Sequence, residues 1–342
     1  MATLVESVDT RSVPESTLWA LHQLYLVRDT ELAPDGDPPV PYEQRLVDWR
    51  NTFESEAVPR WVLWDGPKVV ATAGAYLDLE QNLENAFGVV YVHPDHRGSN
   101  RGRVIATPMF DGVQADNRSR IAIEINQGRP EEVIAIRAGM KPAYTAKRSR
   151  LSLPELDWSL MDTWVGRSEE RASEYELLFF PGPIDEAYLE AFCELTLVMN
   201  TAPRDDYEEE DEIITPEIWR DVEVKEKARK REILTYVARH KPTGALAGFT
   251  TVFCHLLQPD QVWQGDTGVD PAHRNRGLGR WLKAAMALKL REAYPEAVRI
   301  DTYNAGSNAP MLSINIEMGF RPVMIETVWQ GNLATLRERL SV

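Results

Sequence analysis

Cysteine is nearly absent from this chain: Cys193 and Cys254 are the only two in 342 residues, far apart and without metal-ligand spacing. That excludes a disulfide framework and a cysteine-based zinc site, predicts no metal, and leaves both residues as buried apolar positions. Long apolar runs are missing too; no stretch approaches the ~18 residues that span a bilayer, so no membrane partner is expected. Positive charge is scarce, with 38 Lys and Arg against 53 Asp and Glu and a formal net charge of -15. Nucleic acid, which demands a basic face, is thereby disfavoured as a partner, and a cationic small molecule is compatible. The opening residues, MATLVESVDTRSVPES, contain no basic segment followed by an apolar core. They predict no secretory signal and a cytoplasmic protein.

What is present is a soluble composition, 43% hydrophobic and 27% charged, in a chain long enough for two domains. The sequence also repeats itself. Val92, Pro94, His96, Arg97, Gly102 and Arg103 recur as Val269, Pro271, His273, Arg274, Gly279 and Arg280 at one constant offset of 177. Downstream, IAIRAGMKP from Ile134 matches INIEMGFRP from Ile314 at an offset of 180, and upstream AGAY from Ala73 matches AGFT from Ala247 at 174. Elements in the same order with drifting offsets describe a tandem duplication with loop insertions. The linear division it predicts is 1–160, a linker at 161–173, and 174–342.

Each half reads as mixed α and β, a central sheet with helices on both faces. In the second half, strands are expected at 174–180, 233–240, 245–257, 261–270, 297–303 and 320–330 from β-branched and aromatic enrichment. Helices are expected at 185–200, 216–231, 278–294 and 310–318 from three- and four-residue apolar spacing. Thr215 followed by Pro216 is a start signal for the second of these.

The stretch DTGVDPAHRNRGLGRWLKAA, from Asp266, joins a strand to a helix through a turn with Gly277 and Gly279. A helix N-terminus offers unpaired backbone NH groups and a partial positive charge, and glycines let the backbone approach an anion closely. Arg274, Arg276 and Arg280 add charge around it. A phosphate or pyrophosphate is the expected ligand. The Lys-Ser/Thr pair of a nucleotide-hydrolysing loop and the third glycine of a dinucleotide fingerprint are both absent.

These residues resemble the acyl-CoA binding motif of the GCN5-related N-acetyltransferase (GNAT) family, Gln/Arg-x-x-Gly-x-Gly/Ala after the fourth strand. Arg274, Gly277 and Gly279 fill it, and Asn304, Asn308, Gly319 and Phe320 fall where the family would have them. Through the repeat the resemblance reaches the first half. The tandem arrangement is similar to that of two-domain acetyltransferases of the mycothiol synthase type. It implies two tandem GNAT-like domains, acetyl-CoA as cofactor, and N-acetyl transfer by direct attack of a small amine, which the net charge of -15 favours as a cation. It further implies that Gly268 and Val269 face the thioester and pantetheine. The amides of Arg276, Gly277, Leu278, Gly279 and Arg280 would hold the pyrophosphate, with Asn304 and Asn308 alongside.

One position departs from the family: the tyrosine that acts as general acid there is Asn315 here, and an amide cannot donate a proton to a leaving thiolate. Tyr303 is a candidate substitute, or a core residue of its strand. Asp266 is the candidate base, or a carboxylate at a strand edge. The run RDDYEEEDE, Arg204 to Glu212, carries seven carboxylates. It reads as a solvated loop, or, where the family places its acceptor cleft, as an attractor for an amine through Glu210, Asp211 and Glu212. Cys254 beside His255 is set aside as a dyad, since consecutive strand residues point to opposite faces. In the first half Asn100 replaces Gly277 and Arg101 replaces Leu278, which predicts a degenerate domain. A non-catalytic acyl-CoA binding protein, favoured by Asn315, and another acyl-CoA enzyme such as an O-acyltransferase or decarboxylase are the alternative functions.

Overall fold

The computed structural model describes residues 4–34 and 37–341. Two compact units emerge, one of residues 1–146, 205–210 and 324–342, the other of residues 147–204 and 211–323. The first unit contains β1 (Leu4–Ser7), α1 (Glu15–Leu32), α2 (Tyr42–Arg50), β2 (Glu56–Ala57), β3 (Arg60–Asp65), β4 (Lys68–Asp78), β5 (Asn85–Val92), α3 (Arg101–Ala115), β6 (Arg120–Asn126) and α4 (Glu131–Ala138). Strand β7 (Lys141–Ser152) begins in the first unit and belongs to the second from Lys147 onward. The second unit continues through α5 (Trp158–Gly166), α6 (Ser168–Arg171), β8 (Tyr175–Pro181), α7 (Glu186–Thr196) and α8 (Pro216–Ala228). Then follow β9 (Arg231–His240), β10 (Leu246–His255), β11 (Gln261–Val269), α9 (Leu278–Ala293), β12 (Arg299–Ala305) and α10 (Ala309–Met318). Strand β13 (Arg321–Asn332) rejoins the first unit at Met324, and α11 (Leu333–Leu340) closes it.

In the first unit the sheet order is β1-β3-β4-β5-β6-β13, with β2 on β4. Strand β13 lies antiparallel on β6, from Glu326 opposite Asn126 to Asn332 opposite Arg120. In the second unit the order is β8-β9-β10-β11-β12, with β7 beyond β12. The repeat therefore exchanges its last strands: each unit is completed by the strand that ends the other half of the sequence. This corrects the linear division at 160 and 174. The supposed linker at 161–173 is packed structure, because Met161 and Trp164, 0% and 3% exposed, sit in one apolar cluster with Ala284 and Leu290 of α9.

Both faces of each sheet are covered, which gives the expected mixed α/β architecture. In the first unit α1 and α2 cover one face through Leu18, Leu21, Leu24 and Trp49, while α3 and α11 cover the other through Ile105, Met109, Leu333 and Leu336. In the second unit Phe192 of α7 and Trp219 of α8 pack with Val237 and Phe249 on one face. The opposite face holds α5 and α9. Helix α9 buries Leu278, Leu282, Met286 and Leu290, a four-residue stripe.

Local signals hold where they are chemical. Thr215 accepts from the Ile218 amide at 3.3 Å with Pro216 at the first helical position, so α8 starts as the sequence predicts. It stops three residues early, because Lys230 turns left-handed and Arg229 and Arg231 return to the buried Glu226. The helix expected over 185–200 ends at Thr196 and continues as a 3-10 turn, Leu197–Thr201.

The exchanged strand is held by charge as well as by its backbone. Asp301 of β12, 1% exposed, accepts from Arg148 at 2.7 Å and from two nitrogens of Arg150 at 2.7 and 2.9 Å. Removing one partner of a buried ion pair leaves the other uncompensated. Asp301→Ala should therefore lower unfolding free energy by about 3–5 kcal/mol in urea titration; a loss below about 1 kcal/mol would show that water reaches and satisfies both arginines.

Candidate active site

Strands β11 and β12 run parallel but pair only from Gln261 to Trp263 against Arg299 to Asp301. Beyond that point they part, and the edge of β11 from Gln264 to Val269 has no strand beside it on the β12 side. The parting has two local causes. One is a bulge: β11 matches β10 with Thr267 opposite Thr250 but Gln264 opposite Val252, so one extra residue is inserted near Gly265 and Asp266. The other is Asp301, the last paired residue of β12, which the arginines of β7 pin from its opposite edge.

A polar strut supports the bulge. The Gln264 side chain donates to Thr251 O at 2.8 Å and Thr250 Oγ1 at 3.1 Å, and its Oε1 accepts a long contact from Lys283 Nζ at 3.4 Å. Lys283 of α9 is 3% exposed and lies over the Phe320 ring. Burial pulls its amine down to about 7. Lys283 lies at helical spacing between Gly279 and Ala287, on the buried side of α9, and a lysine flanked by small residues there was the sequence signal that could have singled it out.

The pleat sorts the candidate residues into two faces. Val262 belongs to the apolar cluster with α9. Trp263 therefore points to the other face, and Tyr303 stacks on it at 5.7 Å and 4°. A Cβ on Gly268 would lie 2.5 Å from Val198 and 3.3 Å from Met199 Sδ, so Gly268 faces the end of α7, and Asp266, two residues earlier, shares that face. Asp266 is exposed, yet the protein atoms around its carboxyl raise its pKa above the ordinary value. On the α9 face, Asn315 donates to Asn304 Oδ1 at 2.6 Å, and its own Oδ1 is buried without a partner. Tyr303 and Asn315 are thus on opposite faces of the sheet.

Downstream, the loop to α9 has left-handed residues at Asn275 and Gly277, and Gly277 caps the helix. A Cβ at Gly277 meets no atom within 4 Å, whereas one at Gly279 would lie 3.2 Å from Ile314. So Gly277 is needed for its φ and fronts open space, and Gly279 is needed for helix packing. Leu278 is buried and anchors the start of α9, and Tyr175 binds His273 at 2.7 Å to hold the loop. Arg274 donates through Nε to Val269 O at 3.0 Å and through one terminal nitrogen to Thr201 Oγ1 at 3.1 Å, tying the strand end to the turn after α7. Arg276 approaches Glu174 at 3.6 Å, and Arg280 pairs with Glu317 at 2.7 Å. Arg276, Gly277 and Arg280 line a cleft of about 250 Å³ together with Arg167 and Arg171 of the segment expected to be a linker.

Asn308 caps α10, accepting from the Met311 amide at 3.4 Å. The acidic run divides between the units. Glu210 belongs to the first, where it exchanges two hydrogen bonds with Asn82 at 2.8 and 2.7 Å. Asp211 and Glu212 belong to the second; Asp211 pairs with Arg204 at 3.0 Å, and the Glu212 backbone is clasped by Asn200 at 2.9 Å. Both cysteines are buried, and burial pushes the Cys254 thiol up to about 12, so it is no nucleophile.

The first unit repeats the parting and then closes it. Strands β5 and β6 pair only from Asn85 to Phe87 against Arg120 to Ala122, and Gly98 and Asn100 take the left-handed positions of Asn275 and Gly277. Arg97 donates to Val92 O at 3.1 Å, as Arg274 does to Val269. Its two terminal nitrogens grip Glu31 of α1 at 2.8 and 2.6 Å, and Tyr91 and Arg129 bind the same carboxylate. These hydrogen bonds hold the Glu31 carboxyl down to about 2. Asn126 adds a bond to Leu32 O at 2.8 Å, so the end of α1 laces the two strand ends together.

Comparison with known proteins agrees with this geometry. No protein-family model and no curated protein matches the sequence. Solved structures do: a tandem GNAT protein from the clavulanic acid biosynthesis pathway has a TM-score of 0.79 at 21% identity, over 97% of this chain and 99% of that one. A GCN5-related N-acetyltransferase from Sphaerobacter thermophilus has a TM-score of 0.66 at 15% identity, over 96% of each chain. The glucosamine N-acetyltransferase region of a fungal multi-domain β-N-acetylglucosaminidase has a TM-score of 0.64 at 10% identity, over 96% of this chain and 38% of that one. The fold is that of tandem GCN5-related N-acetyltransferases.

The Lys283 strut has a pH signature. A lysine held near 7 in the folded chain and titrating at 10.5 when unfolded binds a proton only in the unfolded state between those values. Stability should therefore rise with pH through that window, by at most about 1.4 kcal/mol per pH unit from this group. Lys283→Met should flatten the slope of the urea midpoint between pH 7 and 10; an unchanged slope would show that the amine stays charged when folded.

Proposed function

We propose that this protein is an acyl-CoA dependent N-acyltransferase, with acetyl-CoA as donor and a small cationic amine as acceptor, working through its second unit. The supporting observation is the unpaired edge of β11, which leads directly into the left-handed Gly277 and the free amides of α9. An acyl-CoA suits both parts. Its pyrophosphate matches amides at a helix start beside Arg276 and Arg280, and its amide-bearing pantetheine matches a strand edge whose hydrogen bonds no neighbour uses. Gly277 presents open space where a side chain would intrude. A bound acyl-CoA supplies a thioester carbonyl open to attack.

The chain's own residues do the rest. The amides between Gln264 and Val269 that face away from β10 can donate to a carbonyl oxygen that gains charge, a preorganised stabilisation worth several orders of magnitude in rate. Asp266 shares a sheet face with Tyr303 and Trp263, lies open to solvent and has a raised pKa, the properties of a base that must take a proton from an ammonium near neutrality. Asn315 carries no dissociable proton. A thiol with a reference pKa of about 8.5 can leave as thiolate and be protonated from water. The net charge of -15 favours a cationic acceptor.

The laced strand ends of the first unit support one acyl-CoA per chain. A second reading, acyl-CoA binding without turnover, is favoured by Asn315 at the family's tyrosine position. Calorimetry and thiol release with a panel of amines separate the two. Gly277→Glu should abolish CoA binding, Asn100→Glu should leave it intact, and Asp266→Asn should keep binding while lowering kcat at least about a hundredfold. Loss of binding in Asn100→Glu instead would move the site to the first unit, and tight binding without thiol release for any amine would favour the second reading.

A further inference from the structure

The cleft at the start of α9 is lined by arginines that come from two different walls. Four guanidiniums, those of Arg167, Arg171, Arg276 and Arg280, line it with one carboxylate, Glu317. Arg280 is paired with that carboxylate and Arg276 approaches Glu174. Arg167 and Arg171 are exposed, and among the described residues neither side chain has a hydrogen-bond or ion-pair partner. They stand four residues apart, at the end of α5 and in α6, so they come from a different wall than the amides of α9. Buried anchors hold that wall in place: Trp164 is 3% exposed and its ring lies under Arg280, and Ser168 donates to Val165 O at 2.5 Å. In a chain with a net charge of -15, Arg167 and Arg171 keep two positive charges on one wall of the cleft that no carboxylate among the described residues offsets, and an anion there would be attracted to both.

Building on the acyl-CoA reading, we propose that Arg167 and Arg171 form a second anion subsite that receives the 3′-phosphate on the ribose of CoA. The α9 amides take the pyrophosphate, and the wall opposite takes the phosphate that distinguishes CoA from dephospho-CoA and from a pantetheine carried on a protein. The donor is thereby specified as a free acyl-CoA. Arginine suits this task because its fork meets phosphate oxygens two at a time.

The test is calorimetric binding of CoA, 3′-dephospho-CoA and adenosine 3′,5′-bisphosphate to the full chain and to Arg167→Ala/Arg171→Ala. The unaltered protein should bind CoA about tenfold to a hundredfold more tightly than dephospho-CoA, and the bisphosphate should compete. The double variant should bind CoA as weakly as dephospho-CoA while holding dephospho-CoA as before, which also reports an intact fold. Equal affinity of the unaltered protein for the two forms would overturn the subsite and leave the acyl-CoA reading standing. Retained discrimination in the double variant would assign the 3′-phosphate to Arg276 or Arg280 instead. Binding of neither form would overturn the acyl-CoA reading itself.

Discussion

Where two parallel strands stop pairing, each leaves a row of backbone donors and acceptors that protein, water or ligand must satisfy. Here β11 and β12 part after Trp263 and Asp301, while both strands continue. Everything proposed for the second unit depends on that parting. It opens an edge of amides, sets Asp266 and Tyr303 on one face and Asn315 on the other, and leads the chain into Gly277. The bulge, the Gln264 strut and the grip of Arg148 and Arg150 on Asp301 keep the strands apart.

The two units show how one backbone plan serves two ends. Both have the early parting, both have left-handed residues at equivalent loop positions, and both anchor the strand end with an arginine. The difference is side-chain chemistry. Arg274 meets the neutral hydroxyl of Thr201, whereas Arg97 meets Glu31, which also gathers Arg129 and Tyr91. Exchange of the last strands makes each unit depend on the other half of the sequence to complete its sheet.

Much of this was legible in the sequence. The repeat, the mixed α/β plan, the helix start at Thr215 and the glycine turn before α9 all rest on local chemistry that residue type and spacing carry. The exchange of strands was not legible, because both copies of the final strand have the same pattern and nothing local says which sheet each will join. The segment 161–173 looked like a linker because its apolar contacts, Met161 and Trp164 against α9, lie more than a hundred residues away. The two partners of Arg274, Val269 O and Thr201, depend on the turn after α7, about 70 residues earlier, which its own stretch of sequence does not announce. The roles proposed for Glu210, Asp211 and Glu212 depended on loop paths that composition does not encode.

Hydrogen exchange with and without CoA tests the central claim most directly, since an unpaired strand edge and a free helix start are amides that only a ligand can protect. CoA should slow exchange within residues 264–269 and 277–281 of the second unit and leave residues 89–92 and 100–104 of the first unchanged. Protection confined to the first unit's segments, or absent from both despite measured binding, would contradict the account.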